Sequence, residues 1–186
     1  MSTAGVRVAT ADDVADIARI QVVTWRTAYA DVLGRAAVDA LDEAALAREW
    51  TDAVAHPGST VYLAEEGRFA VGFCVAGPAP AGEVATADGA VPPDAATTGL
   101  VATVLVEPRW GRRGHGGRLL ATAAAGLRDR GCVRGVTWVA ESDSASLAFF
   151  RRVGWDPDGT VRTLDTGERT VREVRLTGGL DLRLET

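Results

Sequence analysis

The segment that most constrains the fold runs from Val104 to Leu120, where an apolar strand leads into a glycine-rich loop that opens directly into a helix. The loop carries four glycines and the adjacent pair Arg112 and Arg113. Glycines let an anion approach the backbone, unpaired N–H groups of a first helical turn point at it, and the helix dipole adds positive potential. We therefore predict a pyrophosphate site over residues 112–117. A turn with solvated arginines is the alternative that the loop alone leaves open.

The spacing excludes two other phosphate-binding loops. A dinucleotide fingerprint starting at Gly114 requires glycine where Leu119 stands, and a P-loop starting at Gly111 requires lysine where Gly117 stands.

The hydrophobic pattern around this segment predicts an α/β fold (α+β, with a mixed sheet) in the order β-α-α-β-β-β-α-β-α-β-β. The predicted elements are a strand at 6–8, helices at 10–29 and about 36–54, a hairpin of 61–64 and 70–76, a strand at 100–106, a helix at 114–128, a strand at 136–140, a helix at 143–153 and a hairpin of 160–164 and 171–176 with a turn at 165–168. The 186 residues are the usual size of one domain. A long surface loop is expected at about 77–99 because that stretch has no apolar period.

Composition narrows the chemistry. The chain has no lysine, so Schiff-base catalysis is excluded. Residues 1–100 contain six arginines and 14 acidic residues, whereas residues 101–186 contain 14 arginines and 11 acidic residues. An anionic ligand is therefore expected in the second half. A net charge of −5 disfavours nucleic acid as a partner.

Cysteine and histidine are scarce, which bears on metals and on the compartment. Cys74 and Cys132 have apolar neighbours and are predicted to be buried, reduced thiols, and two histidines leave few ligands for a metal site. No apolar run reaches the ~18 residues of a membrane helix, and residues 1–5 lack the features of a signal peptide. We expect a cytoplasmic protein with neither a metal nor a membrane partner.

Two segments resemble the GNAT superfamily of acyl-CoA-dependent N-acetyltransferases. Residues 111–116, Gly-Arg-Arg-Gly-His-Gly, are similar to its (Gln/Arg)-x-x-Gly-x-(Gly/Ala) signature, with Gly111 in the first position. Residues 143–155 resemble its Asn-x-x-Ala-x-x-Phe-Tyr-x-x-x-Gly-Phe segment, with Asp143 in place of Asn and Phe150 in place of Tyr. The order of elements also fits, so the similarity covers nearly the whole chain.

The resemblance implies a sheet whose strands at 104–106 and 136–140 splay into an acyl-CoA cleft. Acetyl-CoA is then the implied co-substrate. Its pantetheine arm would pair with Val104, Leu105 and Val106 as an added strand does, and the Leu105 N–H would polarise the acetyl carbonyl. The implied pyrophosphate contacts are Arg112, Arg113, Gly114, His115, Gly116 and Gly117. An amine lying between the N-terminal helices and the loop after Ala76 would attack directly.

Two departures from the family pattern concern proton transfer. Leu100 stands where a glutamate often takes the proton of the amine, and Phe150 has no proton for the departing thiolate. Glu141 is the candidate base if burial raises its pKa, with a cap or salt-bridge partner for the following helix as the alternative. Asp143 is a second catalytic candidate, with helix capping as the alternative.

Trp25 and Tyr29, one helical turn apart, could line the site of the acceptor amine or simply pack in the core. The sequence thus favours an N-acetyltransferase acting on a primary amine of a small molecule, amino acid or peptide. A CoA-binding sensor or scaffold without turnover is the main alternative, and a nucleotide-binding protein of another class is a weaker one. Exposed strand edges are compatible with a homodimer.

Overall fold

Seven strands form one mixed sheet in the order β1-β2-β3-β4-β5-β7-β6. The computed structural model describes residues 4–167 and 169–182. The strands are β1 (Ala4–Val8), β2 (Thr60–Glu66), β3 (Phe69–Pro78), β4 (Thr98–Val106), β5 (Arg134–Ala140), β6 (Asp156–Asp165) and β7 (Thr170–Gly179). The β4–β5 pair is parallel and every other pair is antiparallel. The mixed α/β class predicted from the sequence is confirmed.

The long helices lie where the hydrophobic period predicts them, with one exception. The helices are α1 (Val14–Ala28), α2 (Ala30–Leu33), α3 (Arg35–Asp39), α4 (Glu43–Ala55), α5 (Ala81–Val84), α6 (His115–Asp129) and α7 (Ser144–Arg152). The single helix expected at about 36–54 is wrong, because α3 ends at Asp39 and Asp42 caps a new helix through the Ala44 N–H at 2.9 Å. Within the described ranges no helix has both the length and the apolar composition of a membrane span.

Two apolar clusters lie on opposite faces of the sheet. On one face α1 and α4 pack against β2 and β3 through Ile17, Ile20 and Phe73. On the other face α6 packs against β2, β3 and β4 through Leu119 and Leu120. Burial of this apolar area is the main stabilising contribution, and it fixes the sheet between the helices.

The segment between β3 and β4 is more ordered than a surface loop. It contains α5 and a 3-10 turn, and Val84 is 1% exposed. Buried Arg175 donates to the main-chain carbonyls of Glu83 and Ala85 at 2.9 and 2.8 Å. The long surface loop expected at about 77–99 is thus interrupted by short helical turns, and an arginine from β7 holds the first of them in place.

The remaining expectations concern the cysteines and the last turn. Cys74 and Cys132 are free and buried, as predicted, and burial raises the pKa of the Cys74 thiol. The closing hairpin is confirmed as β6 and β7. Glu168, in its predicted turn, lies outside the described residues.

Candidate functional site

The central feature of the site is a fork between β4 and β5. The two strands pair only at Thr98–Leu100 and Arg134–Val136, and they separate beyond that point. The Thr137 hydroxyl donates to the Val101 carbonyl at 2.7 Å at the base of the fork. The remainder of β4 is therefore hydrogen-bonded to β3 on one side and faces a gap on the other.

A β-bulge at Ala102 sets which amides face that gap. The register changes from Ala76 opposite Val101 to Val75 opposite Thr103, which leaves Ala102 as the extra residue. Beyond it the Glu107 N–H donates to the Val71 carbonyl at 2.9 Å. Because main-chain groups alternate sides along a strand, Leu105 also faces β3.

Val104 and Val106 consequently present their N–H and C=O groups to the gap. The position of the Leu105 carbonyl supports this assignment of sides, because its oxygen points to β3 and lies only 2.6 Å from the place that a Cβ on Gly72 would occupy. The Leu105 N–H expected to polarise a carbonyl is therefore the wrong donor. Sequence periodicity cannot reveal the change of phase, because a bulge has no fixed composition.

A cavity of about 180 Å³ fills the fork and extends under α1 and α2. Its lining residues are Trp25, Tyr29, Val32, Leu33, Ala102, Thr103, Val104, Leu105, Thr137, Trp138, Val139, Ala140, Asp143, Ser146, Phe150, Leu164, Thr166, Val171 and Glu173. Trp25 and Tyr29 line this cavity and also pack against the α1-side core. Asp143 and Glu173 are the charged members, and among the described residues no arginine or histidine lines this cavity.

Tyr29 connects the end of α1 to the start of α7. Its phenol interacts with the side chains of Ser146 and Asp143, and all three residues line the cavity in the fork. Burial, with the Asp143 carboxylate adding to it, raises the pKa of Tyr29 to about 12. Asp143 also accepts the Ser146 N–H at 3.0 Å, so the capping role expected for it is present.

The glycine-rich loop leaves a row of N–H groups free at the start of α6. Gly114 caps the helix with φ of +80°, and Arg112 has a left-handed φ of +59°. The first intrahelical bond runs from Arg118 N–H to the Gly114 carbonyl at 3.0 Å, so the N–H groups of the residues 115–117 have no acceptor within the helix. A Cβ on Gly116 would lie 3.4 Å from the Phe149 ring, which shows how closely the helix start packs. This arrangement fits an anion.

Three arginines surround these amides. Arg112 is exposed. Arg113 pairs with Glu66 at 3.1 Å and lies over the Trp110 ring at 5.0 Å. Arg118, which the sequence reasoning missed, donates to the Arg113 carbonyl at 3.1 Å and packs beside Gly114. Its position in the first turn of the predicted helix was the signal that could have found it.

The His115 side chain points away from the loop. It is 1% exposed, and its Nε2 lies 2.8 Å from Glu66 of β2. This hydrogen bond from His115 lowers the pKa of Glu66. His115 as a ligand residue is therefore corrected to its main-chain N–H alone, since the imidazole anchors the loop to the sheet.

Glu141 does not fit the role of a base. Its side chain is 57% exposed and pairs with Arg172 at 3.3 Å. It lines a separate surface depression and is not among the residues that line the cavity in the fork. The expected burial is wrong, and the ionic partner is Arg172 of β7 and not a group of the following helix.

Glu107 is a second residue that the sequence reasoning missed. Its side chain is 1% exposed between the guanidinium groups of Arg19 in α1 and Arg109. The ion pair fixes the end of β4, and hence the start of the glycine-rich loop, to α1. The apolar neighbours of Glu107 in the sequence gave no sign of this pairing.

Comparisons with known proteins agree with this geometry. The model of the GNAT acetyltransferase family matches residues 20–155. No curated protein matches the chain significantly. Among solved structures, the PaiA N-acetyltransferase of Thermoplasma acidophilum, in complex with coenzyme A, aligns with a TM-score of 0.72 at 12% identity, covering 95% of this chain and 99% of that one.

Two further structures show the same fold. The putative acetyltransferase YncA of Salmonella typhimurium, with its cofactor acetyl-CoA, has a TM-score of 0.70 at 19% identity over 100% of this chain and 98% of that one. The ribosomal-protein-alanine N-acetyltransferase of Brucella melitensis has a TM-score of 0.70 at 18% identity over 94% and 99%. Since the family model matches well over half of its residues, the chain belongs to the GNAT family of acetyltransferases.

Proposed function

We propose that this protein transfers the acetyl group of acetyl-CoA to a primary amine, by direct attack within a ternary complex. The observation that carries the proposal is the fork between β4 and β5, which opens beside the free amides of the glycine-rich loop. A strand-like ligand arm and a pyrophosphate need these two features, respectively.

The loop supplies the expected contacts for the pyrophosphate of coenzyme A. Main-chain N–H groups of the residues 115–117 would donate to it, and Arg112, Arg113 and Arg118 would neutralise it. The bound coenzyme A and acetyl-CoA of the PaiA and YncA structures support this choice of co-substrate.

The acetyl end would lie in the fork against β4. Of the two gap-facing amides, Val104 lines the cavity, so we assign its N–H as the donor that stabilises the oxyanion. The Val106 main chain, nearer the loop, would pair with the pantetheine arm.

The acceptor end of the cavity favours a cation with an apolar body. Trp25, Trp138 and Leu164 give it an apolar wall, and the carboxylate of Asp143 gives it negative charge, while that of Glu173 is paired with Arg162 at 2.6 Å. No arginine or histidine lines it within the described ranges, and Arg162, which contacts the lining residues Trp138 and Glu173, is already paired with Glu173, so an acceptor carboxylate would compete with Glu173 for that cation. Amines without a neighbouring carboxylate are therefore the favoured acceptors among small molecules, amino acids and peptides.

A sensor or scaffold that binds CoA without turnover is the second candidate. Phe150, buried at 5% exposure, and the exposed Glu141 favour it, because neither can move a proton at the reacting atoms. The test is to incubate the purified protein with acetyl-CoA and a panel of amines, measuring CoA release and the mass of the acetylated product. Release coupled to product supports the enzyme, whereas CoA binding by calorimetry with no release from any amine supports the sensor.

A further inference from the structure

A proton must reach sulfur when the amine displaces coenzyme A. The amine nitrogen bonds to the carbonyl carbon, the carbon–sulfur bond breaks, and its electron pair leaves with sulfur as a thiolate. Protonation of the leaving group in such a step contributes about 10²- to 10⁴-fold to the rate. The Phe150 ring, which lines the cavity, has no proton to give.

The side chains around the cavity narrow the choice of donor. Its titratable members are Tyr29, Asp143 and Glu173 among the described residues. A carboxylate only accepts hydrogen bonds, whereas a phenol carries a proton throughout the neutral range. Glu173 is, in addition, engaged by Arg162 at 2.6 Å. Tyr29 is the remaining group.

The position of the Tyr29 hydroxyl matches the need. Tyr29 lines the same cavity as Ser146 in the first turn of α7, and the Ser146 side chain acts on the phenol. Ser146 and Phe150 are four residues apart on this helix, so they lie on the same face with Cβ atoms about 5–6 Å apart. Both line the cavity in the fork. Tyr29, at the C-terminal end of α1, therefore shares a cavity with Phe150 and with Ser146 one helical turn before it.

We propose that Tyr29 is the catalytic residue that protonates the coenzyme A thiolate, replacing from α1 the proton donor that α7 lacks at Phe150. This inference rests on the proposed function. The proton passes from Tyr29 Oη to sulfur, and the Ser146 hydroxyl donates to the phenolate that remains. The proton lost by the new amide nitrogen returns through Asp143 and water, so the phenol is restored and one amine and one thioester become one amide and one thiol.

The test needs no acceptor, because a donor at the thiolate changes the acidity of bound coenzyme A. The thiolate absorbance near 235 nm is titrated between pH 6 and pH 10 for coenzyme A bound to the wild type and to Tyr29→Phe, with desulfo-coenzyme A as the blank. We expect the thiol pKa to be about one to two pH units higher in the variant, since a hydrogen bond to a charged acceptor is lost. Tyr62→Phe, which alters the only other tyrosine and lies in the core away from the cavity, is the matched control and should leave the value unchanged.

Turnover gives an independent readout. Tyr29→Phe should lower kcat about 100-fold with little change in coenzyme A affinity. Adding Phe150→Tyr to this variant should bring kcat back to at least about a tenth of the wild-type value. Equal thiol pKa values in both complexes would overturn the role of Tyr29 while leaving the proposed function intact. Failure of both proteins to bind coenzyme A in calorimetry would overturn the proposed function and this inference with it.

Discussion

The Thr137 hydroxyl donates to the Val101 carbonyl over 2.7 Å at the point where β4 and β5 part. Thr137 is 3% exposed, so this bond is buried. The parallel ladder has already ended at Leu100 and Val136. A side chain thus closes the base of the fork where a main-chain bond would have continued the sheet.

Thr137→Val should loosen the fork. Valine has the shape of threonine but no hydroxyl, so the buried Val101 carbonyl loses its donor. This loss lowers the free energy of unfolding by about 1–3 kcal/mol. We expect a lower midpoint in urea and weaker coenzyme A binding in calorimetry. Thr137→Ser keeps the hydroxyl and should retain the affinity, and equal binding by the valine and serine variants would contradict the role assigned to the bond.

Val104→Pro should remove the proposed oxyanion donor while sparing the sheet. Proline lacks an N–H, and the Val104 amide faces the gap while the β3 ladder uses that of Leu105. Loss of one such donor lowers kcat by about 10²- to 10³-fold. Leu105→Pro is the contrasting variant, since it breaks the ladder and should lower the melting temperature. A Val104→Pro protein with normal kcat would show that another amide polarises the carbonyl.

Local patterns explain which parts of this site the sequence could predict. The turn at Gly114 and the capping by Asp143 depend on neighbours in the chain, and both are present in the structure. Which main-chain groups of β4 face the gap depends on one extra residue, Ala102, and its identity does not distinguish it from other small residues in strands. The sequence could therefore locate the strand but not the amides that face the gap.

Long-range pairing explains the other errors. Glu141 and Glu107 both adjoin apolar strands, yet one is exposed beside Arg172 and the other is buried against Arg19. Their environments are set by residues 31 and 88 positions away, respectively, which no local period encodes. The contact between Tyr29 and Asp143 is of the same kind, because the fold alone brings α1 to α7.

Arg112→Gly should move stability and affinity in opposite directions. A left-handed φ of +59° costs a non-glycine residue about 1 kcal/mol, which glycine avoids. The same change removes a charge beside the proposed pyrophosphate site, so the Kd for coenzyme A should rise several-fold. Arg112→Gln is the matched variant, with the weaker binding but no gain in the free energy of unfolding. Unchanged binding in both would place the pyrophosphate elsewhere.

Acid should weaken the joint between β1 and α1 in a defined range. The Arg7 guanidinium, donating to both Asp13 oxygens at 2.7 and 2.8 Å, lowers the pKa of Asp13 to about 2. The carboxyl is a stronger acid in the folded protein than in the unfolded chain, so its contribution is complete above about pH 4 and is lost as the pH falls to 2. Allowing for solvent at the half-exposed Arg7, about 1–2 kcal/mol is at stake.

Chemical denaturation at several pH values measures this contribution. Asp13→Asn should lower the free energy of unfolding at pH 6 and flatten its decline between pH 4 and pH 2. Asp12→Asn, at the exposed neighbouring position, is the control variant. An unaltered decline in the Asp13 variant would show that other carboxyls carry the acid sensitivity.

The charge of the cavity should separate amines from amino acids. An apolar amine such as phenethylamine places its ammonium near Asp143 and Glu173, whereas phenylalanine adds a carboxylate that finds no cation among the described lining residues. We expect kcat/KM to be at least about 30-fold higher for the amine, equivalent to about 2 kcal/mol. Glu173→Gln should narrow that ratio, since it removes a negative charge from the lining and leaves Arg162 without this partner, which disfavours the ammonium and favours the carboxylate. Equal rates with both compounds in the wild type would mean that a cation outside the lining holds the carboxylate, for which Arg162, in contact with Glu173 and the Trp138 ring, is the candidate.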